Sequence, residues 1–101
     1  MISVLASIRI KEGERAAFLD IFNANVPKVR QESGCIEYFA AIDIDAGLPV
    51  QQLDENVVTA IERWQSLEAL RAHLVAPHML EYMKKVQALV EGFSLKVLQK
   101  G

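Results

Sequence analysis

Cysteine occurs once in this chain, at Cys35, so no internal disulfide can form and a reducing cytoplasm is the expected setting. An excess of basic residues is also missing. Eleven Lys and Arg stand against 13 Asp and Glu with no basic run, which removes the electrostatic footprint of a nucleic-acid binder. No apolar run approaches the roughly 18 residues of a membrane span, and Met1-Ile2-Ser3-Val4-Leu5 lacks the basic region and cleavage site of a secretion signal. Tryptophan occurs once and histidine twice. The histidines, His73 and His78, flank Pro77 and do not share a helical face, and the acidic residues show no ligand spacing, so a zinc site is not expected. No dinucleotide-binding glycine motif is present, and Ser7 lacks the G-x-S-x-G context of a hydrolase nucleophile. What remains is an ordinary globular balance, 51% hydrophobic and 24% charged over 101 residues, which fits one domain spanning 1–101.

Periodicity divides that domain. Residues 2 to 10 alternate as a strand with Ile2, Val4, Ala6, Ile8 and Ile10 on one face and Ser3, Leu5, Ser7 and Arg9 on the other. A helix is expected from about Glu14 to Glu32, with Phe18, Leu19, Phe22, Val26 and Val29 at helical spacing, kinked or broken at Pro27 and closed by a left-handed cap at Gly34. Cys35 to Asp43 reads as a second strand, and a long loop leads to a third at Val57 to Trp64, where Val58, Ala60, Glu62 and Trp64 share a face. Ser66 suits the N-cap of a helix carrying Leu67, Leu70 and Leu74. Pro77 opens a further helix with Met79, Tyr82, Met83, Val86 and Leu89, and Phe93 to Leu98 closes as a fourth strand. Two β-α-β halves of this kind make a ferredoxin-like α+β sandwich with a four-stranded antiparallel sheet. Helices cover one side of such a sheet, and the apolar face of the first strand calls for cover, so a second copy of the chain is the expected partner in a homodimer.

The chemically versatile side chains crowd into one stretch, Glu62-Arg63-Trp64, Leu70-x-x-His73 and Pro77-His78-Met79. Trp64 is either a core anchor or a flat wall for an aromatic ligand. Glu62, between Ala60 and Trp64 on its strand face, is either a paired surface carboxylate or a buried one whose raised pKa suits acid–base work. His73 borders the apolar stripe of its helix as a packed residue or as a general base. His78 caps and packs at a helix start or orients a ligand. Cys35 reads as inert, and Met79 and Met83 with Tyr82 read as core or as the adaptable wall of an apolar pocket.

The opening strand, Glu32-Ser33-Gly34-Cys35, Ile61-Glu62-Arg63-Trp64 and the run Leu70 to Met79 resemble, in order and spacing, the antibiotic biosynthesis monooxygenase family. The long loop from Asp45 to Asn56 is similar to that of its small quinol monooxygenases. The resemblance implies a dimeric α+β barrel with a hydrophobic pocket between sheet and helices, and oxidation of quinols or polyphenols by O₂ without metal, flavin or haem. Haem-degrading relatives carry an Asn, a Trp and a His where this chain has Ser7, His73 and Met83, so the axial ligand is absent. Polyketide-tailoring relatives carry an Asn where this chain has Ala60. The expected site places His73 or Glu62 as the base, Trp64 as the stacking wall and His78 as the orienting donor, with Ser7, Tyr82 and Met83 on the substrate. The alternatives are an isomerase that uses the same His/Glu pair for proton shuttling, and a non-enzymatic module that sequesters hydrophobic ligands.

Overall fold

The computed structural model describes residues 1–101 as β1 (Ile2–Ile10), α1 (Arg15–Arg30), β2 (Cys35–Ile42), β3 (Val57–Trp64), α2 (Leu67–Leu74), α3 (Pro77–Val86) and β4 (Val90–Leu98). The strands form one antiparallel sheet in the order β2-β3-β1-β4, the ferredoxin-like arrangement expected from the two β-α-β halves. The helices lie on one side. Phe18, Phe22 and Val29 of α1 and Met79, Tyr82 and Val86 of α3 join the inward residues of β1 and β3 in a single core.

Register decides what lies beneath the helices. Opposed residues of an antiparallel pair point to the same side, so three rows on the inner face cross all four strands. One row is Tyr38, Glu62, Val4 and Val97; the next is Ala40, Ala60, Ala6 and Leu95; the third is Ile42, Val58, Ile8 and Phe93. Three adjacent alanines leave a trough between two rows of larger side chains. Helices α1 and α3 roof it, while the β4 end of each row stays open, with Phe93 63% and Leu95 39% exposed.

Several expectations need correction. Helix α1 continues through Pro27 instead of breaking there, because Phe22 before the proline and Val29 after it are both anchored in the core. Gly34 is left-handed as expected (φ 85°), but α1 has already ended at Arg30, so the glycine turns the chain into β2 and does not cap the helix. Helix α3 stops at Val86, leaving Leu89 in the following turn. Strand β4 begins three residues earlier than Phe93 because Val90 pairs with Ile10 across a bulge. The face of β1 assigned to a partner copy, Ile2, Val4, Ala6, Ile8 and Ile10, is buried by the chain's own helices. The uncovered side of the sheet instead carries Phe39, Ile61 and Leu5 in a row that ends in Lys96 on β4 and is edged by the Arg63–Glu37 ion pair.

Candidate active site

Two side chains dominate the chemistry of the trough, and both are buried by sequence pattern. Glu62 is on the inward phase of β3 and is 5% exposed; His73 is on the inner side of α2 and is 1% exposed. Helix α2 is fixed at its start by Ser66, whose hydroxyl accepts from the Ala69 amide, as a serine N-cap does. That start is tied to the α1–β2 turn, because the Gln65 amide donates to the Gly34 carbonyl at 2.9 Å. A Cβ at Gly34 would lie 2.6 Å from the Ala69 Cβ, so only glycine allows the two turns this close.

The close approach delivers Glu32, a residue to which the sequence reading gave no role. One of its oxygens, Oε2, is 2.9 Å from His73 Nδ1 and 2.7 Å from His78 Nε2. A carboxylate only accepts, so His73 donates from Nδ1, and in the neutral ring Nε2 is the atom free to accept. That nitrogen faces Glu62 Oε1 at 3.9 Å, and the same oxygen accepts from Trp64 Nε1–H at 3.0 Å. Burial pushes the Glu62 carboxyl above the usual range; the Trp64 hydrogen bond opposes that rise, as does the His73 ring in its charged form, and the Glu32 charge adds to it. The imidazole of His73 is clamped by Trp64, with ring centres 4.6 Å apart, and by the edge of Tyr38 at 5.4 Å.

Above Glu62 and His73 lies a recess of about 60 Å³ floored by Ala6 and Ala60 and walled by Tyr82, Met83, Phe93 and Leu95. Ile8, Tyr82, Met83 and Phe93 also line an apolar groove of about 510 Å³ between α3 and β4, so these side chains are the wall that the recess and the groove share. Burial drives the Tyr82 hydroxyl far above the ordinary phenol range, so it stays a donor. Of the residues expected in the site, the structure brings Glu62, His73, Tyr82 and Met83 to this recess. Trp64 is fully buried behind Glu62 and His73, so it is a buttress and not the wall a ligand meets. His78 lines a separate cleft between α1 and α3 and reaches the recess only through Glu32. Ser7 points from the opposite face of the sheet, as its odd phase on β1 dictates, and does not reach the recess.

The profile of the antibiotic biosynthesis monooxygenase family matches residues 1–85. The chain belongs to that family. It is 38% identical over 103 residues to the protein named Probable quinol monooxygenase YgiN of Escherichia coli (strain K12), covering 100% of this chain and 99% of the relative. Among solved structures, Rv0793 from Mycobacterium tuberculosis superposes with TM-score 0.80 at 25% identity, covering 98% of this chain and 93% of that one. A conserved protein from Methanosarcina mazei Go1 reaches TM-score 0.85 at 18% identity, covering 99% and 92%, which bears on the fold alone. Membership accounts for the resemblance of the Glu32–Cys35, Ile61–Trp64 and Leu70–Met79 segments. All three converge on His73.

Proposed function

We propose that the protein is a cofactor-independent monooxygenase that oxidises a quinol or related polyphenol with O₂. The observation that carries this reading is the His73 ring at the end of an apolar recess, with Nδ1 held by Glu32 at 2.9 Å and Nε2 turned towards the buried Glu62 carboxyl at 3.9 Å. Triplet O₂ reacts with a closed-shell molecule only when that molecule gives up an electron, and a quinol anion is such a donor. Phenols ionise near pH 10, so a site working near neutrality must take the proton and hold the anion. His73 Nε2 accepts the hydroxyl proton, the Tyr82 hydroxyl donates to the anion, and Glu62, which burial makes a stronger holder of a proton than a free carboxylate, adds a second donor when protonated. The overall reaction balances without external reductant: quinol plus O₂ gives a hydroxyquinone plus water. The substrate supplies all four electrons.

At about 60 Å³ the recess is smaller than the roughly 150 Å³ of a cavity that accepts benzene. On this reading the ring therefore enters from the larger groove by displacing Met83 and Phe93, which are 44% and 63% exposed. The outer apolar row of Phe39, Ile61 and Leu5 supports a homodimer joined through the sheets. Protein-dependent O₂ uptake across a panel of quinols and naphthol-type phenols tests the activity. Proton exchange on a ligand with no O₂ uptake supports the isomerase instead, and binding without turnover supports a sequestering module.

A further inference from the structure

Glu32 and His78 lie outside the recess, yet they are bonded to its base in an unbroken line. From His73 Nδ1 it is 2.9 Å to Glu32 Oε2, and from that same oxygen 2.7 Å to His78 Nε2. Exposure rises along the line, from 1% for the His73 side chain to 13% for Glu32 and 21% for His78. The line ends at a polar cleft of about 310 Å³, where Asp20, Asn25 and Lys28 of α1 face His78, Glu81 and Lys85 of α3. Around its inner end stand Glu62 and Tyr38. The recess itself is walled almost wholly by apolar side chains, so it provides His73 with no comparable polar path to water.

We propose that Glu32 and His78 form a proton relay connecting the buried base to the α1/α3 cleft. The relay rests on the reading of His73 as the base. When the substrate O–H breaks and His73 Nε2–H forms, the excess proton leaves as the Nδ1–H bond breaks and Glu32 Oε2–H forms. That bond breaks in turn as the proton passes to His78 Nε2, with His78 in its other neutral tautomer, and His78 releases its Nδ1 proton to water. The route also runs backwards. Expelling water from the oxygenated substrate requires a proton again, and its return restores the starting tautomer of His73. Neither residue touches substrate, so both are positioning residues.

The test has one arm that needs no turnover. In protein with nitrogen-15-labelled histidine, exchange of the His73 Nδ1 proton with water is read by NMR in the parent, His78→Phe, His78→Gln and Glu32→Gln. The relay predicts exchange slowed at least about tenfold in all three, with core backbone amides unchanged. His78→Gln keeps a hydrogen-bonding group beside Glu32 but cannot pass a proton. The second arm uses His78→Ala: quinol-dependent O₂ uptake falls about tenfold or more and is restored by millimolar imidazole, for which the cleft has room. Parental exchange rates in folded variants, or activity loss that imidazole does not rescue, would overturn the relay. Should the parent oxidise none of the quinols, the proposed activity falls, and the exchange arm still decides the relay.

Discussion

Replacing Ala60 by Val separates the site from the scaffold, because the two readouts move in opposite directions. Ala60 is 2% exposed in a central strand, its neighbours across the sheet are Ala40 and Ala6, and its methyl group floors the recess. The recess of about 60 Å³ is less than half the roughly 150 Å³ of a cavity that takes benzene, so it has room for only a few heavy atoms. Valine adds two carbons, which is close to that space, and its β-branching suits a strand. At about 0.8 kcal/mol per buried methyl-sized group the gain is at most about 1.6 kcal/mol. Residual overpacking subtracts from it. Since 1 kcal/mol moves the Tm of a domain this size by about 4–8 °C, Ala60→Val should melt at the parental temperature or several degrees above it. The substrate ring loses the same space, so KM for quinol should rise about tenfold or more, equivalent to about 1.4 kcal/mol. Differential scanning calorimetry and an oxygen electrode give the two numbers. Unchanged kinetics in a stable variant would mean the substrate does not enter over Ala60. A Tm drop of 10 °C or more, on the order of 2 kcal/mol, would mean the trough is not open.

Gly34→Ala must adopt a positive φ and bring its Cβ to 2.6 Å from Ala69, so it should cost about 2 kcal/mol or more, lower Tm by about 10 °C and loosen Glu32 from His73, seen as a shifted His73 NMR signal. For Glu62 the sign follows from its raised folded pKa: the folded state holds the proton longer than the unfolded chain, so this group's contribution to stability declines as pH rises from the unfolded value near 4.5 towards the folded one. Glu62→Gln, which still accepts from Trp64, should lack that decline in urea titrations compared across pH, while losing quinol oxidation. Ile61→Lys on the outer face should convert a dimer into an 11.3 kDa monomer by sedimentation without abolishing the fold.

Much of this architecture is legible from period alone. The alternation of β3 places Glu62 inside, Ser66 and Pro77 mark the starts of α2 and α3, and together they set His73 near Glu62. Glu32 was not legible. It lies in a turn with no periodicity, and its partners are 41 and 46 residues away, brought to it by the contact at Gly34. The signal that could have found it was a carboxylate two residues before a glycine in a stretch already singled out by resemblance. The odd phase of Ser7 on β1 already assigns it to the outer face, away from the recess. The apolar face of β1 is covered by the chain's own helices, which sequence alone does not reveal, because an apolar face reads the same whether a helix or another chain covers it.

The central claim is that this site inserts one atom of O₂ into a quinol using His73 as base, and oxygen-18 labelling tests it most directly. Turnover of a quinol under ¹⁸O₂ should consume one O₂ per quinol and give a hydroxyquinone carrying a single labelled atom, the other leaving as labelled water. The His73→Gln protein, folded, should be slower by about 10²–10⁴-fold. Unlabelled quinone formed with hydrogen peroxide, or labelled product at the parental rate from His73→Gln, would contradict the account.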